Sequence, residues 1–225
     1  MKIRKYVNIK SKTGREFIAE MFGTCILVLF ACGAGFELKF MKMYSPGDNN
    51  VVSANLAGGL SLTLVIVFIG KISGAHVNPA VSFSMYLTGR MSLFRFLIYC
   101  LAQFAGAFIA SFLLYISYYD ALSEYPRDKF NDLVSLYGTF PNDRLGTFGG
   151  LFDLVIGTML LVMTILALTD KNNTLFSAGS TAILNGICVF VINVSFGYNT
   201  GNAVKMIFFL YSHIEFKIAF ISFPF

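Results

Sequence analysis

Five apolar blocks, each long enough to cross a bilayer, restrict this chain more than any other feature. They run over residues 17–38, 51–70, 96–119, 148–168 and 175–197. About 20 apolar residues suffice to span the hydrocarbon core as a helix. An outer-membrane barrel would show short alternating segments instead. Only 13% of the 225 residues are charged and 56% are hydrophobic, whereas a soluble domain carries about 25% charged residues. The expected class is an all-α, polytopic membrane protein whose first partner is the lipid bilayer.

A sixth apolar piece, residues 77–87, is too short to cross and opens with Asn78-Pro79. Proline suits the first turn of a helix, so the spacing predicts a half-helix dipping into the membrane. Non-helical backbone at that depth must be buried in protein or line a wet cavity. Basic residues precede the first block (Lys2, Arg4, Lys5, Lys10, Lys12, Arg15) and recur at Lys71, Arg90, Arg95 and Lys171. Loop 120–147 is acidic on balance. Positive-inside bias therefore predicts a cytoplasmic N-terminus and an outward-facing loop 120–147. The basic arm, residues 1–15, is read as topological, and no nucleic-acid partner is expected. Cys25, Cys32, Cys100 and Cys188 all lie in apolar blocks and are read as small packing residues.

The chain also repeats itself. "EMFGT" at 20–24 returns as "LVIGT" at 154–158, and "SGAHVNPAV" at 73–81 returns as "TGNAVKMIF" at 200–208. The second pair shares a hydroxyl residue, a glycine, two further residues and a valine. Three spans separate the copies, so the second is inverted in the membrane. Inverted repeats with broken helices that meet at mid-membrane are an architecture for moving small solutes.

The chemistry of the first copy fits such a role. A half-helix N-terminus carries unpaired N–H groups and about half a positive charge, and Asn78 adds an amide donor. The stretch before it is small and can expose the carbonyls of Gly74, Ala75 and His76. Such a lining suits an uncharged hydroxylated solute and repels cations. Nothing in the sequence suggests an enzyme: there is no metal cluster, catalytic nucleophile or phosphate loop, and no cofactor or metal is expected. Glu20 and Asp153, the carboxylates near the starts of two spans, could instead be proton-relay groups of a coupled transporter.

"SGAHVNPAVS" resembles the first signature loop of the major intrinsic proteins, the aquaporins and glycerol facilitators. "REFIAEMFGT" is similar to that family's first helix, and "GYNTGNAV" to the start of its second signature loop. "DLVIGTMLLVMTILALTDKNN" is similar to the fourth helix of the aquaglyceroporin branch. The resemblance covers about residues 15–204. It implies an aquaporin-like, right-handed bundle of inverted repeats with re-entrant half-helices, assembled as a homotetramer in the plasma membrane. It implies passive flow of water, glycerol and similar small solutes. Carried over by position, Gly74, Ala75, His76, Asn78, Pro79 and Ala80 form the first loop, and Gly201, Asn202 and Ala203 belong to the second. Glu20 and Asp153 become braces that accept bonds from loop N–H groups. The side chain of His76 is expected to be structural and its carbonyl functional.

The outer selectivity filter maps onto Gly58, Asn193, Asn202 and Phe208. Gly58 stands where a bulky aromatic is usual, which implies a wide filter, and Phe208 stands where an arginine is usual. Asn185 and Asn193 are read either as filter groups or as polar contacts between helices. Lys205 occupies the place of the second signature asparagine. On this reading the partial second repeat, residues 148–204, gives way to a divergent tail, residues 205–225, and the second half-helix and sixth span are missing or replaced. The alternative function is then a truncated, non-conducting subunit that associates with full-length partners.

Overall fold

The computed structural model describes residues 9–45, 50–126, 136–137, 145–170, 172–173 and 175–200. Seven helices carry the described chain: α1 (Lys12–Tyr44), α2 (Val51–Ser73), α3 (Pro79–Leu87), α4 (Leu93–Ser117), α5 (Tyr119–Ser123), α6 (Thr147–Leu168) and α7 (Ala178–Thr200). Five of them, α1, α2, α4, α6 and α7, are long and apolar enough to cross a membrane. No strand occurs among the described residues.

The helix starts follow capping chemistry. Ser11 accepts from the Gly14 N–H at 3.2 Å, Asn50 from Ser53 at 3.4 Å, Ser92 from Arg95 at 3.4 Å and Ser177 from Ser180 at 3.2 Å. Each satisfies one orphan N–H of a first helical turn. The Ser11 cap starts α1 inside the basic segment. At 33 residues, α1 is about 50 Å long at 1.5 Å per residue and outreaches a hydrocarbon core of about 30 Å. The first apolar block alone therefore understates this helix, and Glu16 lies within it. Loop 120–147 contains a helical turn of its own, α5.

α1 sits between α2 and α4, α2 also meets α7, and α7 meets α6. The close approaches fall at small residues, as is usual where helices meet in lipid. A Cβ on Gly106 of α4 would collide with the Met21 carbonyl of α1, and one on Gly59 of α2 would lie 2.5 Å from the Gly186 carbonyl of α7. One apolar core joins α1, α2, α3, α6 and α7 around Val65, Val77, Val81, Leu161 and Ile192. A second, around Phe36, Phe40 and Leu114, extends to Tyr125 and Tyr137. Many large apolar side chains face outward instead, among them Phe68, Leu101, Phe112 and Val191. Lipid, rather than water, is the solvent such a belt matches.

Candidate functional site

The link between α2 and α3 has the least ordinary backbone among the described residues. Gly74 ends α2 at φ +95°, with its N–H bonded to the Gly70 carbonyl at 3.0 Å. A glycine tolerates this left-handed cap. Ala75 and Val77 then take φ +52° and +41°, a region that costs a non-glycine residue about 1–3 kcal/mol. For β-branched Val77 the departure is pronounced.

Glu20 of α1 holds this strained turn. Its carboxylate is completely buried and accepts four hydrogen bonds. Oε1 takes the His76 N–H at 3.0 Å and the Ser73 hydroxyl at 2.6 Å. Oε2 takes the Val77 N–H at 2.8 Å and Gln103 Nε2 at 2.8 Å. Successive N–H groups converging on one anion make a nest. The peptides are trans, so each C=O points opposite to its own N–H. With the N–H groups of His76 and Val77 turned to Glu20, the carbonyls of Ala75 and His76 must point away from it. The strain thus orients two acceptors, and the buried carboxylate maintains it.

Other side chains extend the cradle. Ser82 Oγ lies 3.1 Å from His76 Nδ1 and accepts from Gln103 Nε2 at 3.1 Å. The Tyr99 hydroxyl donates to the Ser73 carbonyl at 2.7 Å, and the His76 and Tyr99 rings lie 5.1 Å apart. Arg95 reaches Tyr99 at 3.3 Å and grips Glu16 with two bonds of 2.8 and 3.1 Å. Glu16 is 2% exposed. Glu16, Ser82, Tyr99 and Gln103 are not legible as site residues from the sequence; the only signal linking Glu16 to Arg95 is their opposite charge.

Asn78 caps α3. Its Oδ1 accepts from the Ala80 N–H at 2.8 Å, and Pro79 occupies the first turn. The cap consumes the acceptor end of the amide, so Nδ2 is the end that can donate.

Beside this cradle lies a cavity of about 370 Å³, within the roughly 300–1,000 Å³ usual for small-molecule sites. Gly74, Ala75, His76, Asn78, Pro79, Gly58 and Asn193 all line it. Ala80 does not; its N–H is committed to Asn78. Gly58 and Asn193 face each other, and a Cβ on Gly58 would sit 3.5 Å from Asn193 Nδ2. Asp153 is buried on α6, at 5% exposure. Gly201, Asn202, Ala203, Lys205 and Phe208 lie outside the described residues, and so does any second half-helix or sixth span.

Four buried polar atoms have no hydrogen-bond partner among the described residues: Thr24 Oγ1, Gln103 Oε1, Asn185 Oδ1 and Asn193 Oδ1. All four residues line the cavity. A buried acceptor left unpaired costs about 1–3 kcal/mol, and none of these four atoms is itself exposed to the cavity.

The family model for Major intrinsic protein matches residues 8–207. The chain belongs to the major intrinsic protein family. It is 32% identical to Aquaporin-10 of Milnesium tardigradum over 210 residues, covering 91% of this chain and 51% of that protein. It is also 32% identical to human Aquaporin-10 over 206 residues, covering 88% of this chain and 67% of that protein. It thus spans about half to two thirds of the length of these relatives. The fold of this major intrinsic protein matches the X-ray structure of the aquaglyceroporin from Plasmodium falciparum with TM-score 0.76 at 27% identity, over 91% of this chain and 83% of that one. The all-helical architecture around the Glu20 cradle is therefore an aquaporin fold in an integral membrane protein.

Proposed function

We propose that this chain is a passive channel of the aquaglyceroporin type for water, glycerol and similar small uncharged solutes. The observation that carries the reading is the cavity against the α2–α3 turn, where the Ala75 and His76 carbonyls turn away from a buried carboxylate. Backbone acceptors replace hydration for a neutral solute. The N-terminus of α3 and its Asn78 amide disfavour a cation at the same level. A coupled transporter is disfavoured, since all four bonds of Glu20 go to the protein and leave it no relay role.

Gly58, Asn193 and Asn202 are assigned to the filter, Glu20 and Asp153 to the braces, and Gly201, Asn202 and Ala203 to a second loop. The reading includes a homotetramer in the plasma membrane, and a cytoplasmic N-terminus that the charge bias of the loops supports.

Reconstitution of the 225-residue chain into liposomes tests it. Stopped-flow light scattering should show glycerol and water permeability well above that of empty liposomes, with no sucrose or proton leak. Permeability equal to empty liposomes at verified insertion would refute the channel reading.

A further inference from the structure

At one end of the cavity a fixed charge faces the path. Arg90 is the one lysine, arginine, aspartate or glutamate among the described residues that line it. Helices α6 and α7 define which end this is. Thr169 caps α6, Thr181 lies in the first turn of α7, and both line the cavity. Asn193 stands twelve residues further along α7, about 18 Å away. Arg90 and Thr169 therefore hold the end opposite the Gly58–Asn193 pair.

The local structure aims that charge. Helix α3 ends at Leu87, Thr88 caps it, and Gly89 turns the chain at φ +71°. The backbone N–H of Arg90 bonds the Met85 carbonyl at 2.9 Å, and Met91 is buried behind it. From this fixed turn Arg90 Nη1 donates to Thr169 Oγ1 at 3.0 Å. Thr169 Oγ1 gives its own hydrogen to the Ile165 carbonyl at 2.7 Å, so towards Arg90 it can only accept. The bond crosses from the end of α3 to the end of α6. Both residues are exposed, and Arg90 makes no ion pair among the described residues. Asp170, next to Thr169, turns Oδ1 to the Asn172 N–H at 2.9 Å instead.

The charge matters because of the helix it follows. An α-helix carries about half a negative charge at its C-terminus. That end of α3 alone would gather cations at this mouth, before they meet the opposing field at Asn78. A full guanidinium charge two residues past the cap outweighs the half charge. The opening around it is largely apolar, with Val81, Met85, Leu161 and Ile165 among its walls, so the field is screened less than on an open surface.

We propose that Arg90 is a cation barrier at this mouth, set in place by Thr169 and separate from the barrier at Asn78. Protonated amines and metal cations are turned away there, while neutral solutes pass. The inference rests on the channel reading above and adds a specificity residue to it. An arginine that only stabilised the end of α3 would matter for folding and not for the charge of the solute.

The probe is 3-aminopropane-1,2-diol, glycerol with one hydroxyl replaced by an amine, at a pH where the amine is protonated. Parent, Arg90→Lys, Arg90→Gln, Arg90→Glu and Thr169→Val are reconstituted in liposomes. Entry of the aminodiol is measured relative to glycerol at matched insertion, above the rate in empty liposomes. The expected ratio stays within about two-fold of the parent's in Arg90→Lys, rises about five-fold in Arg90→Gln and rises further in Arg90→Glu. Thr169→Val should fall between the parent and Arg90→Gln, since Thr169 positions the charge. A ratio in Arg90→Glu equal to the parent's overturns the proposal, even if stability is lost. So does an equal rise in Arg90→Lys and Arg90→Gln, which traces the effect to size rather than charge. If Arg90→Glu does not insert, Arg90→Gln against Arg90→Lys decides by the same rule. A parent that passes no glycerol brings down the channel reading itself, a result distinct from an unchanged ratio in a conducting parent.

Discussion

Glu20 Oε2 accepts the backbone N–H of Val77 at 2.8 Å. A carboxylate on the first helix thereby fixes the one β-branched residue held at positive φ among the described residues, 57 positions further along the chain. The turn could not hold its shape alone, because its conformation is costly and its N–H groups would be left unpaired at depth.

Glu20→Gln should loosen this turn. The amide keeps one acceptor and replaces the other with a donor that faces donors. Loss of two charge-assisted bonds implies destabilisation on the order of 3 kcal/mol. Thermal unfolding in detergent should show a lower midpoint, together with reduced solute flux. An unshifted midpoint would contradict the cradle.

Gly58→Phe should narrow the path opposite Asn193. A Cβ alone comes within 3.5 Å of Asn193 Nδ2, and a ring would fill the remaining gap. Glycerol permeability should fall on the order of ten-fold relative to water, in the range that shape differences in apolar sites achieve. Equal loss of both fluxes would indicate collapse of the path rather than sieving.

Arg95→Met should destabilise the chain by about 2–3 kcal/mol, because it leaves buried Glu16 with only Lys12, which is 4.0 Å away and 77% exposed. The Arg95 side chain is 34% exposed, against 3% for Glu16, which places the cost toward the lower end. Adding Glu16→Met should recover most of it, and chemical or thermal denaturation of all four members of the cycle measures the coupling. Additive losses would show that the pair is not coupled.

Gly106→Val should separate α1 from α4. Its Cβ would run into the Met21 carbonyl, which is backbone and cannot rotate away. Overpacking of this kind costs about 1–3 kcal/mol or more. The expected outcome is poor yield and early unfolding, whereas normal yield and stability would mean that the two helices can shift.

A cysteine placed at exposed Ser123, on α5, should react with a membrane-impermeant thiol reagent on intact cells. Labelling only after permeabilisation would reverse the proposed orientation.

The sequence by itself determined the spans, because bilayer thickness turns a run of some 20 apolar residues into a helix with little help from neighbours. It also determined α3, since Asn78 and Pro79 are a helix start wherever they stand. It placed Glu20 in a repeated "EMFGT"-type segment and Asn78 in a signature loop, whereas Gly58 followed only from the family resemblance. It fell short at the ends of α1, where a single cap at Ser11 outweighed the basic residues that follow it. What only the tertiary structure decided is how polar groups from different helices meet. Glu16 with Arg95, Gln103 with Glu20 and Ser82, and the shared orientation of Asn185 and Asn193 depend on helix rotation. Rotation is set by close approach at Gly59, Gly106 and Gly186. A hydropathy pattern records that a segment is apolar enough to cross; it does not record which of its few polar residues turn inward, because that is settled by packing against neighbours distant in the chain.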